Sequence, residues 1–241
     1  IGFLTTAGHR DIPDIGRTWR PTAALTDPSW RRTFGDAGRP LVPRYLRRGI
    51  VERIKAGGGI FTELDEQQAR AELQVLKRCN VEGIAICLLH AYTNPTHEEA
   101  VRDHIQAAYP SLAISLSSEV APEIREYERQ STTCANAYVQ PRMQTYLKRL
   151  ENELQAAGHD GALYVMLSGG GITTVESARA FPIQLIESGP AAGAMAASYY
   201  SRLTDTENFI SFDMGGTTAK MCLIDGGKPD RKHDFEAGRV R

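Results

Sequence analysis

The chain has 241 residues, 41% of them hydrophobic and 24% charged, an ordinary composition for a globular protein with room for one or two buried cores. Its 28 Lys+Arg stand against 29 Asp+Glu, a net charge of −1, so no global basic field points to nucleic acid or to an anionic membrane. No apolar run in it approaches the roughly 18–20 residues of a membrane span, and no charged leader followed by a long apolar run opens it.

In chain order, "GFLTT" reads as a short strand, and "GHRDIPDIGRTWRPTAALTDPSW" as a long irregular segment rich in Pro, Gly and charge. The basic stretch "RYLRRG" (Arg44, Arg47, Arg48) reads as a solvated face, and "RRGIVERI" (47–54) alternates as a strand does. "LDEQQARAELQVLKRCN" carries Leu64, Ala69, Leu73 and Leu76 at helical spacing with Asp65 at its start, which predicts an amphipathic helix. "GIAICLLHAY" is an apolar strand, Asn94-Pro95 opens a helix running to about Tyr109, and "LAISLSS" is a further strand. Apolar strands alternating with helices imply an α/β fold with a parallel sheet covered by helices.

From about Ile124 a long helical pattern runs to Gly158, with Pro141 expected to kink or restart it. "ALYVMLS" reads as a buried strand ahead of "SGGG", "TTVESARAF" as a short helix and "PIQLIES" as a strand. "GPAAGAMAASYYSRL" reads as a helix whose small residues allow close backbone packing, and residues 208–227, "NFISFDMGGTTAKMCLIDGG", as strand–turn–strand. The four cysteines form no C-x-x-C pair, and Cys87 and Cys222 lie in apolar runs. Buried free thiols in a reducing cytoplasm are expected. His97 and His104 fall seven apart on one helix, too few ligands for a metal site.

The chemistry-bearing stretch is "FDMGGTTAK". A strand delivers Asp213 to a Gly215-Gly216 turn, which permits positive φ and close approach of a ligand to backbone N–H groups. Thr217 and Thr218 add hydroxyls and Lys220 a point charge. An aspartate beside a phosphate serves Mg²⁺, often through water, or orients an attacking water, which makes Asp213 the candidate catalytic residue as well as the candidate metal ligand. A plain hairpin explains the same residues, since Gly-Gly is a favoured turn. Two more glycine-rich joints follow strand-like runs: "MLSGGGI", with Gly169 and Gly170, and "ESGPAAG", which sets Ser188 and Gly189 at a helix start. A helix N-terminus offers free N–H groups and the positive end of the dipole, so the three joints are candidates for one nucleotide cleft. No P-loop, G-x-G-x-x-G or G-x-S-x-G signature occurs. In "EIREYERQSTT", Glu128 and Arg129 read either as a solvated helix start with internal ion pairs or as residues facing inward near a ligand cleft.

"GHRDIPDIGR", "LVPR", "CLLHAYTNPTHE", "LSSEVAPEIREYERQSTT", "NAYVQP", "MLSGGGI", "ESGPAAG" and "SFDMGGTTAK", taken in order, resemble the hydantoinase A / 5-oxoprolinase family along essentially the whole chain. The resemblance implies actin-like ATPase (ribonuclease H-like) elements. It divides the chain into 1–121, the C-terminal part of the family's N-terminal region, and 122–241, the N-terminal part of the hydantoinase A domain. It also makes 208–227 the second of two phosphate hairpins, with Asp213, Gly215, Gly216 and Thr217 as phosphate and Mg²⁺ contacts. The first hairpin is then expected upstream of Ile1 and the adenosine loop downstream of Arg241, so the chain reads as a fragment cut at both ends.

The implied activity is ATP-dependent hydrolysis of a cyclic amide such as a hydantoin or 5-oxoproline. The γ-phosphoryl group would be taken by the amide oxygen, leaving the ring carbonyl carbon open to water. The implied partners are a small cyclic amide and a hydantoinase B-type chain or domain. The alternatives are the ATP-using subunit of a ketone carboxylase, and a structural or partner-binding piece without activity. One departure stands out: family members often carry Ser and then Asp after the glycines, whereas "GGTTAK" places Lys220 near an acidic position, which points to a subgroup with another substrate.

Overall fold

A computed structural model of the chain describes residues 1–15, 41–216 and 218–230. The irregular segment expected through Trp30 therefore lies outside the described residues from position 16 onward, as does Thr217. The chain divides into two compact units between Pro141 and Arg142.

The first unit is built on strands β1 (Gly2–Thr6), β2 (Arg47–Ile50), β5 (Gly83–Cys87) and β6 (Ala113–Leu116). They form one sheet in the order β2-β1-β5-β6, every neighbouring pair parallel. Strand β5 is central and buried at every residue, which is why its sequence is apolar without alternation. The run "RRGIVERI" is not one strand. It leaves the sheet after Ile50, and β3 (Arg53–Ile54) pairs antiparallel with β4 (Ile60–Thr62) around a turn closed by Lys55 N–H donating to Gly59 O at 2.8 Å.

Helix α1 (Glu66–Arg78) begins where expected. The Asp65 carboxylate accepts from Gln68 N–H at 2.9 Å, a cap worth about 1 kcal/mol. Its buried face is Ala69, Leu73 and Leu76. Helix α2 (Thr96–Ala108) follows Asn94, whose side chain accepts from Thr96 N–H at 3.1 Å, and buries Val101 and Ile105. These side chains meet Phe3, Leu4, Ile50, Ile84, Ile86, Leu88 and Leu116 in one core. Each such side chain stabilises the fold by roughly 1.5–3 kcal/mol.

The third helix, α3 (Glu126–Ala156), starts just after Arg125, which takes a positive φ of 81°, and runs through Pro141 without restarting. Pro141 lacks the N–H that would meet Ala137 O. That carbonyl lies 3.1 Å from where a Cβ on Gly83 would stand, so glycine is what lets α3 approach the start of β5.

The basic stretch 44–48 is ion-paired rather than simply solvated. Exposed Arg44 meets Asp11 at 2.8 Å, buried Arg47 meets Asp14 at 2.6 Å, and Arg48 meets Glu72. All four cysteines are free. Cys87 and Cys134 are buried as expected, Cys79 is exposed and Cys222 is half-buried. Desolvation pushes the Cys87 thiol up to about 12, so it behaves as a small apolar group.

The second unit holds two short antiparallel sheets. Strands β7 (Tyr164–Met166) and β8 (Ile172–Thr174) form a hairpin, so "SGGG" turns a hairpin rather than leading from strand to helix. Strand β7 is also only half-buried, with Tyr164 exposed. Helix α4 (Val175–Ala180) is capped by Thr174. The expected strand at 182–188 is a 3-10 turn, Pro182–Leu185. Pro182 sits at its first position, where a fixed φ favours a helical turn over a ladder that needs its N–H. Then come α5 (Ser188–Thr204), β9 (Phe209–Met214), β10 (Ala219–Asp225) and β11 (Lys228–Pro229), the last three joined in the order β11-β10-β9. A small core of Leu147, Val175 and Ala178, flanked by Met143, Leu163, Val165 and Leu185, lies under the first hairpin.

Candidate functional site

The β9–β10 hairpin is antiparallel, with Asp213 opposite Lys220, Ser211 opposite Cys222 and Phe209 opposite Ile224. Directly opposed residues share a face. This face is the one turned toward α5: Ile224 is buried, Ser211 Oγ lies 4.0 Å from where a Cβ on Gly193 would stand, and the Lys220 ammonium is ion-paired with the Glu187 carboxylate. Asp213 therefore shares its face with Lys220, one step from the turn, and is exposed.

The turn itself follows Met214. Gly215 N–H donates to Thr218 O at 3.1 Å. Neither Gly215 nor Gly216 takes a positive φ, and a Cβ on either would meet nothing within 4 Å. These glycines are thus demanded neither by backbone strain nor by packing. Positive φ appears instead at the next turn, at Gly226 (54°) and Gly227 (72°).

Glu187 immediately precedes α5, with a left-handed φ of 67° and no side-chain cap on the helix. The N–H groups of Ser188 and Gly189 belong to the first turn, where no intrahelical partner exists. Gly189 is exposed, with open space where a side chain would project. Through Lys220–Glu187, the structure brings the hairpin and the start of α5 together.

Gly169 and Gly170 lie in the β7–β8 turn, which meets the same helix farther along. Gly170, with φ of 84°, turns the β7–β8 hairpin, and a Cβ there would stand 3.2 Å from the Met195 side chain. Met195 is eight residues beyond Glu187, roughly 12 Å along the helix. Gly170 is therefore explained by its turn and its close packing. Gly169 is exposed, with open space around it.

A lone exposed aspartate beside an open turn fits Mg²⁺, which keeps several waters and takes one or two carboxylates plus phosphate oxygens. No cluster of three potential metal ligands occurs among the described residues.

The carboxyl ends of the first unit's parallel strands hold a second polar group of residues. The Glu98 carboxylate accepts from Leu88 N–H (2.8 Å), Ser117 Oγ (2.6 Å), Ser118 N–H (2.9 Å) and Ser118 Oγ (2.7 Å). Burial pushes its carboxyl above the usual range, against hydrogen bonds that favour the charged form. Glu52 is bonded by Thr6 Oγ1 on one oxygen and meets His97 Nδ1 at 2.9 Å on the other. His97 and His104 thus have separate partners, His104 pairing with Glu66 at 3.0 Å. Arg129 is 1% exposed and faces inward, and it also makes an internal ion pair with Glu126 at 3.5 Å. Glu52 and Glu98 were not singled out in the sequence, because their partners stand 10 to 46 positions away.

Two family models match the chain: Hydantoinase/oxoprolinase N-terminal region over residues 1–109, and Hydantoinase/oxoprolinase over 129–241. The alpha subunit of caprolactamase from Pseudomonas jessenii is 32% identical over 241 residues, 100% of this chain and 34% of that protein. The 5-oxoprolinase of Saccharomyces cerevisiae is 35% identical over 257 aligned positions, 97% of this chain and 19% of that protein. The nucleotide-free structure of acetone carboxylase, described as part of the mechanism of ATP-dependent acetone carboxylation, superposes with a TM-score of 0.82 at 29% identity, covering 99% of this chain and 34% of that one. The chain spans about a third of the length of the first curated relatives it matches. The expected α/β class holds, and the structural neighbours have the actin-like fold. With both models in chain order and only 110–128 outside them, the chain belongs to the hydantoinase/oxoprolinase family.

Proposed function

We propose that this chain contributes a phosphate loop to an ATP-dependent enzyme that opens a small cyclic amide of the hydantoin or 5-oxoproline type. The observation that carries the reading is the ion pair between Lys220 and Glu187. It sets the open Gly215-Gly216 turn and exposed Asp213 beside the uncapped start of α5. In this reading the N–H groups of Ser188, Gly189, Gly215 and Gly216 receive phosphate oxygens, with the Thr217 and Thr218 hydroxyls beside them. Asp213 holds Mg²⁺ through water. Lys220 is released to the phosphates when they bind, since a partly exposed ion pair contributes only about 0–1 kcal/mol. Gly170 supports α5 from the β7–β8 turn, while Gly169 stays open to a ligand. Bound Mg·ATP supplies the phosphoryl group that activates the ring carbonyl. The protein's share is positioning and charge neutralisation.

The reading places the enzyme in the cytoplasm, with a hydantoinase B-type partner chain or domain. Residues 1–121 continue the family's N-terminal region and 122–241 open its hydantoinase A domain. A second reading, the ATP-using subunit of a ketone carboxylase, is favoured by the superposition on acetone carboxylase.

ADP release by the full-length protein with its partner separates the two readings. Stimulation by hydantoin, 5-oxoproline or caprolactam without bicarbonate is expected. ADP release that requires bicarbonate plus acetone or acetophenone would replace the hydrolase with the carboxylase.

A further inference from the structure

The strand order β2-β1-β5-β6 reverses between β1 and β5. From β1 the chain goes to β2 on one side of it, then returns to β5 on the other, and continues outward to β6. In open parallel sheets such a switch point leaves a crevice at the carboxyl ends of the two strands, and ligands bind there. Here the two ends are tied by Leu89 N–H donating to Thr6 Oγ1 at 2.9 Å. The loop leaving β5 carries His90 at a positive φ of 58°, uncommon for a non-glycine residue, with its ring against Tyr92.

Arg129 reaches this loop from α3. Its Nη2 donates to Leu88 O at 2.6 Å, and its guanidinium lies 5.4 Å from the centre of the Tyr92 ring. Glu126 approaches the same Nη2 only to 3.5 Å. Arg129 Nε and Nη1 are buried and find no hydrogen-bond partner among the described residues. The neighbouring carboxylates are already engaged: Glu98 has four donors, and Glu52 has Thr6 and His97.

The same unit shows how this fold satisfies a buried arginine. Arg47 is equally buried, yet its Nε donates to Val42 O at 2.8 Å, and its Nη1 and Nη2 grip both oxygens of Asp14 at 2.6 and 3.0 Å. Arg129 Nη2 takes a carbonyl, Leu88 O, and reaches Glu126 only at 3.5 Å, and no carboxylate among the described residues grips its Nε or Nη1. A buried guanidinium with two idle nitrogens is costly, and a planar two-oxygen acceptor matches the end-on fork of Nη1 and the second Nη2 hydrogen, the pair of nitrogens with which Arg47 holds Asp14.

We propose that Arg129, at the β1–β5 switch point, binds the oxyanion of a small molecule, a carboxylate or a phosphoryl group, in the two-pronged manner in which Arg47 holds Asp14. The half-buried ring of Tyr92 is the cover that moves aside. This site lies wholly in the first unit and goes beyond the phosphate hairpin. Binding is read without turnover, so failure of the hydrolase reading leaves it standing, and its own failure leaves ADP release untouched.

The test is calorimetric titration of the full-length protein with 5-oxoproline and, separately, with inorganic phosphate, for wild type, Arg129→Lys and Arg129→Gln. Circular dichroism checks that each variant is folded. Arg129→Gln is expected to weaken binding of at least one oxyanion tenfold or more, with Arg129→Lys intermediate because it keeps the charge and loses the fork. Loss confined to 5-oxoproline assigns a carboxylate, and loss confined to phosphate assigns a phosphoryl group. If Arg129→Gln does not fold, Arg129→Lys carries the test. Wild-type affinity for both probes in the folded variants overturns the proposal, as does wild-type protein that binds neither.

Discussion

The two units use the same residue types for different ends. In the first, the central strand is covered on both faces, and glycine marks places where backbone must come close, as Gly83 does under Ala137 O. In the second, the β9–β10 ribbon presses one face on α5 and turns Ile210, Phe212, Met214, Met221 and Leu223 outward, each more than half exposed. There Gly215 and Gly216 touch nothing. A packed glycine such as Gly83 serves the core, and ligand handling is proposed at the open pair Gly215-Gly216.

The largest contrast is expected from side-chain truncation. Ile86→Ala, in the middle of β5 at 0% exposure, should cost about 2–5 kcal/mol. Phe212→Ala, on the outward face, should stay within about 0.5 kcal/mol. Urea unfolding followed by hydrogen exchange, which resolves the two units, checks both. Equal losses would break the comparison.

Next comes the buried carboxylate. Burial raises the Glu98 value in the folded state, so its contribution is fully present below the ordinary carboxylate range and declines as pH rises through the raised value. Glu98→Gln should remove that slope. It should also lower stability by about 1–3 kcal/mol, because an amide leaves some of its donors unmatched. Unfolding midpoints across pH measure both effects, and an unchanged slope contradicts this account of Glu98.

The glycine comparison is sharper still. Gly83→Ala forces a methyl against backbone at 3.1 Å and should cost about 1–3 kcal/mol. Gly216→Ala meets open space at a φ that alanine accepts, so its thermal midpoint should hardly move. A Gly216→Ala protein destabilised as much as Gly83→Ala would show that the turn is packed after all.

What could be read from the residues follows from how local each signal is. The Asp65 cap, the apolar run of β5 and the 208–227 hairpin rest on neighbours in sequence, and all three are present. Pro182–Leu185 mimicked a strand because Ile183 and Leu185 alternate, and the proline at the first position decided otherwise. Cys222 sits in an apolar run, yet it is half-buried because a two-stranded ribbon has only one covered face. The inward Arg129 and the Glu52–His97 pair were hardest to foresee. Their partners come from other strands and helices, 41 and 45 positions away. Of the candidate site, sequence pattern supplied the residue types, and the register opposing Asp213 to Lys220 needed the fold.

The central claim is that the open hairpin of the second unit handles phosphate while the first unit carries the stability. Asp213→Asn in the full-length protein with its partner tests it most directly, by ADP release and thermal unfolding measured side by side. The account expects ADP release to be abolished at an unchanged unfolding midpoint, because Asp213 is exposed. Normal ADP release by the folded variant would contradict it and remove Asp213 from the site.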